Sequence, residues 1–244
     1  MEYPSITDLL RSWPHEPGRL NARLSDETDG RTVIQVRVEL GILQIELDGR
    51  PDGLRPEGAG SLLEHHLTAA RAGGGPRSLD EDACAQLRDE AALFSYRSMV
   101  RSSLDDFEGV LRDTEHNLGI AELIRACALS DRDRAHALQT LPSLLMMRAR
   151  VRSTLLVRSG EIASAREALD LGLSEIEQLH QGPGAAERCE ALPEVGMLRE
   201  MRDLLVPKLP SSQREEIRCR LQQAISVENF ELAAILRNEL RQLP

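Results

Sequence analysis

From Ser78 to Leu179 apolar residues recur at intervals of three and four with almost no interruption, and no other feature limits the fold as strongly. Side chains spaced that way share one face of an α-helix. Leu87, Ala91 and Phe94 mark one face of a first helix while Leu93, Tyr96, Val100 and Leu104 mark another, so this helix should be covered on two sides. Phe107, Val110, Leu111, Thr114, Leu118, Ala121 and Ile124 trace a second helix, and Leu144, Met147, Val151 and Leu155 a third. Ile162, Ala165, Leu169, Gly172, Ile176 and Leu179 trace a fourth. Short breaks at Asp105-Asp106 and Ser159-Gly160 would join neighbours as antiparallel hairpins. Aliphatic side chains must fill this body, because the 41% of hydrophobic residues include only one Trp, two Tyr and three Phe. Leu and Ala lead the helix scale, whereas strands are enriched in aromatic and β-branched residues. The chain reads as mainly α.

Five segments follow from composition and pattern. Residues 1–30 hold Pro4, Pro14, Pro17 and Gly18 around one short helical phrase, SITDLLRSW, and read as an N-terminal arm tacked down by Trp13. Residues 31–75 contain the one stretch with strand character, TVIQVRVELGILQIELDG. Ile34, Val36, Val38 and Leu40 alternate with polar residues, and after Gly41 the phase flips to Leu43, Ile45 and Leu47. A glycine at a phase change marks a bulge or a tight bend, so one bent strand or a small hairpin fits. GRPDGLRPEG then supplies turn residues, and SLLEHHLTAA opens with Ser61 as N-cap and Glu64 three residues on, a capping box. Residues 76–180 form the helical body, 181–210 a linker with one more helix, and 211–244 the tail. Each body hairpin sets a bulky residue after its turn and a small one three later, Phe107 with Val110 and Ile162 with Ala165. That order resembles the tetratricopeptide helix pair, although the hairpins are about 55 residues apart rather than 34. An irregular helical bundle fits equally.

The tail carries the most specific pattern. In SSQREEIRCRLQQAISVENFELAAILRNELRQL, Ile217, Leu221, Ala224 and Ile225 fall on one face of a short helix. Phe230, Ala233, Leu236 or Arg237, Leu240 and Leu243 do so on the next. Val227 to Asn229 is the hinge, so the helices fold back antiparallel, and Ala233 and Ala234 let them approach closely. The run from Leu221 through Glu228, Asn229, Phe230, Glu231, Ala233, Ala234 and Arg237 to Leu240 resembles the UVR motif of the B and C subunits of the bacterial excision-repair nuclease and of regulators of Clp-type proteases. Asn238, where an Asp is usual, and Leu232, where a Lys is frequent, depart from the pattern. The resemblance implies a protein-protein contact module, pairing with another UVR hairpin or with a second copy of itself. The contact residues it implies are Leu221, Ala224, Ile225, Glu228, Phe230, Glu231, Ala233, Ala234, Arg237 and Leu240. VRVELGILQIELDGRPDG with the SLLEHH helix also looks like the opening of bacterial UVR-tailed proteins of unassigned role.

Charge and spacing exclude several other classes. A formal net charge of −10 repels nucleic acid and anionic lipid at long range. No apolar run approaches the ~20 residues that span a bilayer, and MEYPSITDLL lacks the features of a signal peptide. A cytoplasmic protein is expected. Cys84, Cys127, Cys189 and Cys219 form no CxxC pair and read as buried free thiols. His65 and His66, being adjacent, point about 100° apart on a helix and read as surface residues rather than a metal pair. GRPDG lacks the spacing of a phosphate loop and reads as a turn. Asp113 and His116 read as a polar pair on a helix surface, with no nucleophile placed beside them. Arg148, Arg150, Arg152 and Arg158 form a basic cluster, expected to be neutralised by Glu161, Glu167, Asp170 and Glu175 on the following helix.

The function that emerges is a non-enzymatic adaptor, its helical body a scaffold and its C-terminal hairpin the contact. No cofactor, metal, membrane or nucleic acid is expected. The rival from another class is an accessory of DNA excision repair that touches nucleic acid through the arginine cluster. An enzyme would require a polar pocket between the β element and the helices.

Overall fold

The computed structural model describes residues 6–75, 77–180 and 184–205, together with Leu221 and Arg237. The chain divides into two units, Met1–Arg202 and Asp203–Pro244. Among the described residues it is mainly helical, with eight α-helices and one three-stranded antiparallel sheet.

The sheet is a meander of β1 (Asn21–Asp26), β2 (Thr32–Val38) and β3 (Gly41–Glu46), in that order. The strand-like stretch is thus a hairpin rather than one bent strand, with Val38 opposite Gly41 across a two-residue turn. Ile34, Val36 and Ile45 bury their side chains against Val100, with Tyr96 and Leu104 beside them. The opposite face is not left to solvent. Trp13, just after α1 (Ile6–Ser12), donates from Nε1 to Asn21 Oδ1 at 2.9 Å and lies under the guanidinium of Arg23. Buried Arg37 donates to the Trp13 carbonyl at 2.8 Å. The tryptophan therefore does hold the arm, but the arm also contains β1, which its sequence conceals. Only Ala22 and Leu24 are apolar there, and this edge strand pairs with one neighbour only and leaves Leu24 exposed.

The GRPDG stretch turns as its residues demand: Gly49 and Gly53 both take positive φ, and Arg50 clamps Asp52 within the loop. Helix α2 (Leu62–Ala72) starts where expected, Ser61 Oγ accepting from the Glu64 N–H at 3.0 Å. Glu64 reaches one residue beyond the standard box, to the N–H of Gly60.

Helices α3 (Glu81–Ser103), α4 (Phe107–Cys127), α5 (Asp131–Arg158) and α6 (Ile162–Gln178) make the body, each packed on the next in sequence. Asp80 caps α3 by accepting from Ala83 N–H at 2.9 Å, and Asp106 caps α4 by accepting from Gly109 N–H at 2.9 Å. Both hairpin breaks fall where read, and a further one lies at Ala128 to Ser130. There Leu79 and Ala128 form an isolated bridge that ties the start of α3 to the end of α4. Leu79, Cys84, Leu87, Ile120, Ile124 and Ala137 form the core under this clamp. Helices of 17 to 28 residues are longer than a 34-residue unit holding two helices allows, so the layer is built of long, irregular hairpins. Gly172 lets α6 settle onto α5: a Cβ there would stand 2.5 Å from that of Ala149. Beyond it α7 (Ala185–Glu190) lies inside the stretch read as linker and buries Cys189. Helix α8 (Pro193–Leu204) buries Val195 and Leu198.

Candidate functional site

On α3 the stripe that should be apolar is not. Leu87, Glu90, Phe94, Arg97 and Arg101 follow one another at three- and four-residue steps, and all five are buried. An isolated buried charge is too costly to persist, so each of these needs partners. Glu90 has four. The first N–H groups of α2, from Leu62 and Leu63, donate to its carboxylate at 2.7 and 3.1 Å, and Arg50 donates at 3.1 Å. His116 Nε2 lies 3.1 Å from Glu90 Oε1, its ring stacked 3.6 Å from that of Phe94. Burial alone would push the Glu90 carboxyl up; the hydrogen bonds from His116, Leu62 and Leu63 outweigh it and hold the group below the usual carboxylate range.

Two turns further, Arg97 forks onto Asp113, with Nη2 and Nε at 2.7 and 3.1 Å, while its Nη1 donates to the carbonyls of Glu46 and Gly49 at 2.8 and 2.9 Å. A planar fork with five donors suits this double duty, which a lysine could not perform. Arg101 donates to the Leu47 carbonyl and lies 3.5 Å from Asp113. Its burial pushes the guanidinium down from its usual range, and Nε and Nη1 have no hydrogen-bond partner. Gly109 makes room for it, since a Cβ there would collide with the Arg101 side chain. Between these groups and the Leu47–Gly49 and Gly60–Ser61 segments lies a polar cavity of about 250 Å³. The two buried acids of this seam, Glu90 and Asp113, are already engaged by N–H groups or guanidinium groups. The arrangement locks loop, sheet end and helices into one geometry.

Two sequence readings are corrected here. Asp113 and His116 are not a helix-surface pair: Asp113 is fully buried between two arginines and His116 serves Glu90. Their face of α4 turns inward because the residues opposite it on α3 are charged rather than apolar. His65 and His66 are half-buried, not fully at the surface, with ring centroids 5.5 Å apart, and burial pushes the His66 imidazole down. Glu90, Arg97 and Arg101 were missed altogether. Their three- and four-residue spacing from Leu87 was the available signal.

The arginine cluster is largely neutralised, though by unexpected partners. Arg148 pairs with Glu175 as expected, whereas Arg152 pairs with Glu115 at 2.6 Å and Arg158 with Asp105 at 3.0 Å. Asp170 serves Arg202 instead. Arg150 has no side-chain partner among the described residues. Cys84, Cys127 and Cys189 are free thiols, Cys127 only half-buried, and burial raises the thiol pKa of Cys84 and Cys189.

In the tail, Leu221 is helical and half-buried and Arg237 is helical and exposed. The other contact residues named from the sequence, Ala224, Ile225, Glu228, Phe230, Glu231, Ala233, Ala234 and Leu240, lie outside the described residues, as does Cys219. Comparison of the chain with protein families finds one match. Residues 212–243 match the UVR model, the UvrB/uvrC motif. The UVR segment is thereby associated with protein or DNA interactions related to excision repair. No curated protein and no solved structure matches the chain. Among the described residues no helix is long and apolar enough to cross a membrane, and no three acid, His or Cys side chains are grouped as metal ligands.

Proposed function

We infer that the protein is a non-enzymatic, cytoplasmic adaptor of bacterial type, whose UVR segment captures another protein. The observation that carries this reading is the UVR match at residues 212–243, a motif of interaction rather than of chemistry. In this reading Phe230 and the aliphatic positions Leu221, Ile225 and Leu240 supply apolar area to the partner, Ala233 and Ala234 are the small residues of the motif, and Glu228, Glu231 and Arg237 orient the partner. The buried charges of the body support a scaffold role, because Glu90 and Asp113 are engaged in holding α2, α3, α4 and the sheet end together. A DNA-contacting role is the weaker reading: three of the four clustered arginines already hold carboxylates, and the chain carries a net charge of −10. The test is affinity capture with the full chain and its Phe230→Ala variant. Loss of the captured partner from the variant, with an unchanged thermal transition of the body, is expected. Equal recovery of the same partner from both chains overturns the reading.

A further inference from the structure

A second surface belongs to the unit Met1–Arg202. Helices α3 and α5 both pack on α4, and between them run two adjoining cavities of about 440 and 610 Å³. Both are lined by all three helices, and Ser95, Asn117, Ser143 and Leu144 belong to both, so they form one groove. Its wall on α3 is made of small residues at helical spacing, Ala91, Ala92, Ser95, Ser98 and Ser102, with Met99 half exposed between them. Its floor on α4 is mainly apolar, including Val110, Ile120, Ala121 and Ile124. From Ala91 to Ser102 the wall is about 17 Å long, or three helical turns. A small-residue stripe beside an apolar floor gives the depth at which another helix can lie, and an exposed methionine adapts to its ridges.

Charge and hydrogen bonding say what would lie there. In a chain of net charge −10, the ionisable residues that line the two cavities are Arg88, His136 and Arg150, with no acid among them. Arg88 is held by Asp133, and Ser143 on the rim donates to Glu194 of α8. Arg150, unpartnered among the described residues, is the cation left over. Asn117, buried where the cavities meet, spends its amide on Ala91 and Ser95 and leaves Oδ1 without a partner.

We propose that this groove is a second docking surface, taking an amphipathic helix of about three turns from another protein, with an acidic flank set against Arg150. Nothing in this depends on the UVR segment, and with it the groove would give the chain two docking sites.

The test uses the full chain and a display library of helical peptides of about four turns, with Glu and Lys equally represented at flanking positions. The enriched peptides are expected to carry an apolar i, i+3, i+4, i+7 stripe with Glu beside it. Their binding should fall about tenfold in Arg150→Glu, the loss of one charge-assisted contact. It should vanish in Ala92→Trp, which fills the groove from an exposed position, and persist in Phe230→Ala. Circular dichroism of each variant must match the parent chain. The proposal is overturned if no helical peptide is enriched, if the enriched flanks are basic, or if binding survives Ala92→Trp. It is equally overturned if sedimentation shows a dimer that Arg150→Glu dissolves, since the groove would then hold a second copy of the chain.

Discussion

The seam between the sheet end and α3–α4 and the contact between α5 and α6 join neighbours in opposite ways. At the first, buried Arg97 and Arg101 hold Asp113 and three backbone carbonyls, while buried Glu90 holds Arg50, His116 and the α2 N-terminus. At the second, Ala165, Leu169, Gly172 and Ile176 of α6 are buried, with α5 lying so close that one glycine is needed. Apolar packing rewards any close fit, whereas a guanidinium fork and its carboxylate accept few geometries. The charged seam therefore defines orientation where irregular loops meet helices. The apolar contact serves where two regular helices already constrain each other.

The comparison breaks most readily at Asp113. Its removal in Asp113→Ala leaves Arg97 and Arg101 buried with no carboxylate between them, and cutting a buried pair in this way costs about 3–5 kcal/mol. Urea unfolding of this variant should show the largest loss of any single substitution considered. A loss below about 1 kcal/mol would mean that water reaches the seam and solvates the two guanidinium groups, and the contrast with the apolar contact would then fail.

The next effect is at Gly172. A methyl group there meets the Ala149 Cβ at 2.5 Å, with Leu198 at 3.4 Å, so Gly172→Ala must push α6 off α5. Overpacking of this kind costs about 1–3 kcal/mol. Adding Ala149→Gly should recover part of it, because the same space is returned from the other helix. Equal destabilisation of the single and double variants, read from their urea midpoints, would show that the glycine matters for backbone reasons instead.

These two regions also differ in how far the residues disclosed them. The α5–α6 contact was largely legible: of the residues that periodicity named, Ala165, Leu169, Gly172 and Ile176 are buried, whereas Ile162 is exposed and buried Leu173 was passed over. The UVR segment was legible from its own pattern and matches its family model at residues 212–243. The charged seam was not, because a search for apolar residues passes over Glu90 and Arg97 even when they stand at core spacing. Nor was β1, whose six residues hold two apolar side chains and whose place in the sheet comes from its pairing with β2. Burial decided by a partner elsewhere in the chain leaves little trace in local periodicity.

The smallest effect separates burial from chemistry. Arg152 and Glu115 bring together the same two groups as Arg97 and Asp113, at a similar 2.6 Å, but both are exposed by more than a third. Water already solvates each partner there, and holding two long side chains in register offsets most of the attraction. A double-mutant cycle of Arg152→Ala and Glu115→Ala should therefore give a coupling of only about 0.5 kcal/mol, fading further in high salt. If instead the exposed pair couples as strongly as the buried one, then charge pairing as such stabilises this body. The orientation attributed to the seam would in that case come from its apolar neighbours, Phe94 and Val100, rather than from the guanidinium forks.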